Sequence, residues 1–266
     1  MQDFLRTCEQ AARDGGRVLR QWQGRVTARE KGPADLVTQA DLASQEAIRR
    51  TVLAAFPSHA FLGEEQDEDA SVGRRGTSRT PAADGYRWVV DPLDGTTNYV
   101  HQYPYYCVSV ALLKGQKLQV GCIYDPSRDE CFTAATGSGA WCNGRPLTTA
   151  PTKSLDQALV ASSFAARVEP ESAEVAEFLK VLYRSQSIRR LGSAALNLAY
   201  LAAGRLDVFW STSVKLWDVA AGVLMVQEAG GQVSSRDGLP WNADHPSLLA
   251  ASTVELHAEL RGLLAE

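Results

Sequence analysis

Apolar positions recur at helical spacing from the start of the chain. Leu5, Cys8, Ala12, Leu19 and Trp22 predict an opening amphipathic helix. A second helix is expected from about Leu42 to Phe56, with Asp41 where an N-cap would sit and Pro57 as its stop. Short apolar runs then take over. Ala60-Phe61-Leu62 leads into Gly63-Glu64-Glu65, and Trp88-Val89-Val90 ends at Asp91-Pro92. The polar stretch from Gln66 to Tyr86 between them reads as a mobile surface loop. Val108 to Leu112, Val120 to Tyr124 and Cys131 to Ala134 predict strands separated by turn residues, and Asn143-Gly144 signals a hairpin.

The second half alternates. Strands are expected at Leu159–Ala161, Ser187–Leu191, Leu206–Trp210 and Leu248–Ala251. Helices are expected at Ser172–Tyr183, Ser193–Ala203, Val219–Ala229 and Val254–Leu264, with Gly204 and Gly230-Gly231 as stops. This pattern predicts an α/β protein made of an α+β N-terminal half and a layered α/β C-terminal half. The boundary is expected at Thr148–Ser154, so residues 1–147 form the first half and 148–266 the second.

Composition narrows the function classes. With 266 residues the chain can bury a sizeable core, and 45% hydrophobic content is ordinary for a globular protein. A net charge of −4 and a pI near 5.7 argue against a nucleic-acid or anionic-membrane partner. No apolar run reaches the roughly 18 to 20 residues needed to span a bilayer. Charges at Asp3, Arg6, Glu9, Arg13 and Asp14 interrupt any signal-peptide core, so the cytoplasm is the expected compartment. Five cysteines without a C-x-x-C pair, and four scattered histidines, disfavour a disulfide framework or a zinc site. Any metal would need oxygen ligands, which points to a hard cation such as Mg²⁺.

The candidate chemistry sits at the ends of apolar elements. In Asp91-Pro92-Leu93-Asp94-Gly95-Thr96-Thr97-Asn98, two carboxylates enter a tight turn rich in hydroxyls and N–H groups suited to phosphate. The same turn is also consistent with Asp94 merely capping a helix. Glu64 and Glu65 end a strand, but a solvated pair would look the same. Asp218 and Asp41 each read equally as helix N-caps, and Asp35 and Thr38 extend the polar set around Asp41. Together, separated carboxylates at element ends fit a cage for divalent cations. There is no Ser-His pair at useful spacing for nucleophilic catalysis.

Gly63-Glu64-Glu65, the run Asp91–Asn98 and Trp217-Asp218-Val219-Ala220-Ala221-Gly222 resemble, in order and spacing, the three hallmark motifs of the inositol monophosphatase family. Asp35–Asp41 and Gly192-Ser193-Ala194-Ala195 also resemble family segments, and the resemblance covers essentially the whole chain. It implies a layered αβαβα sandwich of the sugar-phosphatase type, usually a homodimer. It also implies a Mg²⁺-dependent, lithium-sensitive phosphatase of small phosphorylated sugars and polyols, with two or three ions per site. By the same resemblance, Glu64, Asp91, Asp94, Asp218 and the Leu93 carbonyl hold the metals. Gly95 and Thr96 donate main-chain N–H groups to phosphate, joined on the substrate side by Thr97. The catalytic residues it implies are Glu64, Asp41 and Thr96, of which Asp41 and Thr96 orient the attacking water that the cations activate, and Ser193 and Ala194 lie against the sugar.

One position departs from the family pattern. Inositol-selective members carry a glutamate seven residues before the Trp-Asp aspartate, and here that residue is Ser211. Discrimination between polyols is therefore expected to weaken, unless Thr212, Ser213 or Lys215 recognises a more anionic substrate. The resemblance also admits fructose 1,6-bisphosphate, histidinol phosphate or a 3′-phosphonucleotide as substrate. A non-catalytic binding protein on the same fold is the remote alternative.

Overall fold

The computed structural model describes residues 1–32, 35–67, 85–164 and 168–265. Helix α1 (Gln2–Trp22) is followed by a small hairpin, β1 (Arg29–Gly32) with β2 (Asp35–Val37), and by α2 (Gln39–Ala55). Then come β3 (Ala60–Gly63), the single turn α3 (Glu64–Asp67), β4 (Tyr86–Asp94) and the short α4 (Thr96–Val100). A meander follows: β5 (Cys107–Lys114), β6 (Lys117–Asp125), β7 (Glu130–Ala135), β8 (Ala140–Cys142) and β9 (Arg145–Pro146). These strands form a sheet in the order β3-β4-β5-β6-β7-β8-β9, parallel at β3–β4 and antiparallel beyond.

The second half runs β10 (Leu159–Ser163), α5 (Ala173–Leu182), β11 (Ser187–Arg189), α6 (Ala194–Ala202), β12 (Val208–Ser211), α7 (Leu216–Glu228), β13 (Gln232–Ser234), β14 (Leu248–Ala251) and α8 (Val254–Ala265). Its sheet has the order β11-β10-β12-β14-β13, with β10 parallel to β11 and β12 and β14 antiparallel to both its neighbours.

Period-two alternation sorts each strand between two cores. On β5, Val108, Val110 and Leu112 face α1 and α2, whereas Cys107, Ala111 and Leu113 join the core shared with α6 and α7. On β12, Phe209 points into that shared core, and Val208 and Trp210 face a third core built on α8. The layers are thus α1/α2, seven-stranded sheet, α6/α7, five-stranded sheet and α5/α8, the expected αβαβα order. Helix α7 is apolar on every face from Val219 to Val226, where it is buried between two sheets. At Gly222 an added Cβ would lie 2.5 Å from the Leu198 Cβ, so a side chain there would push α7 off α6.

Several boundaries differ from the sequence expectations. Helix α2 starts at Gln39 with Thr38 as its N-cap, and Asp41 is the third helical residue, returning a bond to the Thr38 N–H. Helix α7 likewise starts at Leu216, and Asp218 accepts from the Lys215 N–H at 2.7 Å as the third residue instead of capping the helix. Strand β4 does not end at Asp91-Pro92. It runs on to Asp94 through a bulge, which accommodates the proline that a regular ladder would exclude. Strand β11 stops at Arg189, two residues short of Leu191. Of the expected Gln66–Tyr86 loop, Gln66 and Asp67 complete α3 and Tyr86 opens β4, while residues 68–84 lie outside the described set. The Asp35 side chain lies outside it as well.

Candidate active site

The bulge in β4 builds the site. Asp91 pairs with Ser109 and Asp94 with Cys107, so β4 spends one more residue than β5 across this step. The Leu93 N–H donates to Asp91 Oδ1 at 2.9 Å, and Ser44 on α2 donates to the Pro92 carbonyl at 2.9 Å, which pins the bulge from behind. Gly95 then turns the chain at φ +95°, and an added Cβ would meet the Tyr105 carbonyl at 3.0 Å and the Gly192 carbonyl at 3.3 Å. Both the dihedral and the space require glycine.

Helix α4 begins immediately. Its first internal bond runs from the Tyr99 N–H to the Gly95 carbonyl, so the N–H groups of Thr96, Thr97 and Asn98 have no intrahelical acceptor. The Asn98 amide donates to the carbonyls of Tyr105 at 2.7 Å and Leu191 at 2.8 Å, clamping this turn against the segment leading into α6.

Glu64, Asp91, Leu93, Asp94 and Asp218 line one cavity of about 490 Å³, together with Gly95, Thr96, Thr97 and Ala194. Residues from β3/α3, β4, α4, α6 and α7 therefore meet at a single place. Glu64 is set by the β3–α3 junction, where the Glu65 N–H donates to Gln45 Oε1 at 3.2 Å. Asp218 is set by the first turn of α7, which Ser109 ties to β5 by donating to the Trp217 carbonyl at 3.1 Å. Asp94 does not cap its own helix. It accepts from the Ser193 hydroxyl at 2.6 Å and the Ala195 N–H at 2.7 Å, at the start of α6. Ser193 in turn accepts from the Leu196 N–H as the N-cap of α6, so its oxygen serves both the helix and the carboxylate.

Asp41 and Ser193 are buried behind the cavity wall. Asp41 reaches the cavity through Thr96, whose hydroxyl lies 3.3 Å from Asp41 Oδ1 and 3.1 Å from the Leu93 carbonyl. Ser211 does not reach it: its hydroxyl is buried and donates to the Ser163 carbonyl at 3.0 Å, and Ser163 and Ser213 line the wall beside it. Lys215 is exposed and is not a lining residue either. Among the described residues the lining cation is Arg190, whose Cζ lies over the Phe164 ring, 5.4 Å from its centroid. Neither Arg190 nor Phe164 stands out in the sequence; the local signal is the place of Arg190 two positions before Gly192-Ser193.

The electrostatics follow from burial of like charges. Burial, and repulsion from Glu64, Asp94 and Asp218, push the Asp91 carboxyl well above the usual carboxylate range. Burial raises Asp94 to about 6 against the hydrogen bonds from Ser193 and Ala195. Asp218 is pushed up by burial and by Asp94, and Asp41 is raised by burial to about 6 against its bonds to Thr38. Among the described residues, no three His, Cys, Asp or Glu side chains are already drawn together as a metal cage. The donor set nevertheless fits a hard cation. Each of the four side chains offers oxygen donors, and the charge they share is what a divalent cation would neutralise.

A sequence model of the inositol monophosphatase family matches residues 1–266. The chain belongs to this family. Members of the inositol monophosphatase family are phosphatases that hydrolyse phosphate monoesters of small molecules and are generally metal-dependent. The chain is 40% identical to the inositol-1-monophosphatase of Synechocystis sp. over 253 residues, covering 94% of this chain and 84% of that protein. It is 39% identical over 244 residues to the Nus factor SuhB of Pseudomonas aeruginosa, covering 90% and 87% of the two chains. The solved inositol monophosphatase of Anabaena (Nostoc) sp. superposes with a TM-score of 0.86 at 38% identity, covering 99% of this chain and 96% of that one. Among the described residues, no helix is long and apolar enough to cross a membrane.

Proposed function

We propose that this phosphatase is a Mg²⁺-dependent phosphomonoesterase acting on inositol monophosphate or a related small sugar or polyol phosphate. The observation that carries the reading is the convergence of Glu64, Asp91, Asp94 and Asp218 with the open N–H groups of α4 on one cavity. The four carboxylates and the Leu93 carbonyl would hold two or three ions. When bound, such ions neutralise phosphate charge, acidify water and stabilise the leaving oxygen.

The remaining work falls to the chain. The N–H groups of Thr96 and Thr97, with Gly95 allowing close approach, receive the phosphate oxygens. The attacking water gives its proton to Thr96 Oγ1 as the Thr96 proton passes to Asp41 Oδ1, the oxygen that Thr38 leaves free. A carboxyl raised to about 6 is matched to accepting that proton near neutral pH. The Ser193 and Ala195 donors hold Asp94 in place, and the clamp of Asn98 fixes the phosphate loop to the second half of the chain. A homodimer and inhibition by Li⁺ belong to the same reading and are supported by the family resemblance; a cytoplasmic location is supported by the charges within the N-terminal apolar pattern.

The test is phosphate release from a panel of esters with Mg²⁺: myo-inositol 1-phosphate, fructose 1,6-bisphosphate, histidinol phosphate and a 3′-phosphonucleotide. Mg²⁺-dependent turnover of a sugar or polyol ester supports the reading. Turnover confined to the phosphonucleotide or to histidinol phosphate would replace the substrate class, and no turnover of any ester would refute the reading.

A further inference from the structure

The metal and phosphate positions account for the acidic and main-chain lining of the cavity but not for Arg190. Among the described residues it is the cationic side chain on a wall that otherwise carries four carboxylates. Its guanidinium lies over the Phe164 ring, and Phe164 is itself braced edge-on against Phe178, with ring centroids 5.5 Å apart. A cation–π contact with a ring engages the charge of the guanidinium and consumes none of its five N–H donors. Among the described residues none of those donors is spent on a hydrogen bond or a carboxylate.

A surface arginine normally pays side-chain entropy to hold one orientation. Here the aromatic pair meets part of that cost before any ligand arrives. A planar, pre-oriented fork of N–H donors matches a phosphate or carboxylate in bidentate fashion. The position supports the same conclusion. Arg190 enters the cavity with Leu191 and Gly192, directly before the Ser193 turn that holds Asp94, and Phe164 enters from the end of β10. These residues line the same cavity as the carboxylates, so a ligand whose scissile phosphate sits among the carboxylates can extend towards Arg190. Ser211, by contrast, has its hydroxyl turned to the Ser163 carbonyl and offers the substrate no acceptor in place of a carboxylate.

We propose that Arg190, held on Phe164, is a specificity-determining contact for a second anionic group of the substrate, so that the cavity favours esters carrying a further phosphate or carboxylate beyond the scissile one. This inference rests on the phosphatase reading above and narrows its substrate class.

The test compares two esters that differ only in the second group, fructose 1-phosphate and fructose 1,6-bisphosphate, following release of the 1-phosphate with saturating Mg²⁺. Wild type is expected to favour the bisphosphate by tenfold or more in kcat/KM. Arg190→Gln should reduce that ratio at least tenfold, chiefly through KM, and Arg190→Lys should retain part of it because the charge remains. Phe164→Leu should raise KM for the bisphosphate by a smaller factor. Arg190 is exposed, so the variants are expected to fold, and thermal melts check this. A wild type indifferent to the second phosphate, or an Arg190→Gln variant that slows both esters by the same factor, would overturn the assignment while leaving the phosphatase reading intact. Absence of turnover on both fructose esters, with myo-inositol 1-phosphate hydrolysed in parallel, would overturn this assignment alone; absence of turnover on all three would remove the reading it rests on.

Discussion

Replacing Ser193 with alanine tests whether Asp94, a proposed cation ligand, is positioned by the start of α6. The Ser193 hydroxyl donates to Asp94 Oδ2 at 2.6 Å and accepts from the Leu196 N–H at 3.2 Å. The variant thus loses these two bonds and a weak contact with the Cys107 thiol at 3.7 Å. The bond to the carboxylate is charge-assisted and worth about 1.5–3 kcal/mol, and the cap is worth about 1 kcal/mol. These act on different observables. The cap supports the fold whether or not metal is bound, so a melt should show it in the metal-free protein. The carboxylate bond orients a ligand, and losing such support typically costs about 10–100-fold in metal affinity or activity. The Ala195 N–H still holds Asp94 at 2.7 Å, so the loss should not exceed that range. The assay is a Mg²⁺ activation curve for phosphate release, recorded beside thermal melts with and without Mg²⁺. Ser193→Ala should shift half-activation to higher Mg²⁺, or lower kcat, by at least tenfold. Ser193→Thr, which keeps the oxygen, should recover most of that loss. A Ser193→Ala variant with lower thermal stability but an activation curve within twofold of wild type would show that the hydroxyl only caps α6.

Other positions give independent checks. Asp91→Asn and Asp218→Asn should each lower kcat by about 10²-fold or more with an unchanged far-ultraviolet spectrum, because each removes a ligand that acts on the transition state; near-normal turnover in Asp218→Asn would leave that residue only its bond to the Lys215 N–H. Thr96→Val removes the hydroxyl between the water and Asp41 and should cut kcat by about 10²-fold with little change in Mg²⁺ half-activation; a parallel loss of Mg²⁺ affinity would place Thr96 with the metal ligands instead. Gly95→Ala forces a side chain into a left-handed turn against the Tyr105 carbonyl, so it should cost about 1–2 kcal/mol by denaturant melt and most of the activity; a stable, active variant would deny the close approach.

What the chain discloses about itself depends on range. The alternation on β5 and the apolar run Val219–Val226 of α7 are local patterns, and the structure places them as the sequence implies. The run Asp91–Asn98 is equally local, and its strand-to-turn character is correct, but the bulge is not visible. A proline after an apolar strand reads as a stop unless the partner strand is known to skip a residue. Asp41 and Asp218 were both expected at the cap and both sit at the third helical position. An acid serves a helix start in either place, and only the backbone it bonds tells them apart. The bond from Ser193 to Asp94 spans 99 residues, and the stack of Arg190 on Phe164 needs β10 and the α6 entry to be neighbours. No spacing rule encodes either. Ser211 shows the same limit in the other direction: its place in the sequence is that of a substrate contact, and the strand turns its hydroxyl to the Ser163 carbonyl.

The assignment of Glu64, Asp91, Asp94 and Asp218 as a set of cation ligands in a phosphatase site is best tested by one titration. The chain is stripped with excess EDTA, given myo-inositol 1-phosphate and fructose 1,6-bisphosphate in parallel, and titrated with Mg²⁺ while phosphate release is followed. Turnover of at least one ester should be absent in EDTA, rise with Mg²⁺ and be lost again in Asp91→Asn. Undiminished phosphate release in excess EDTA would contradict the assignment.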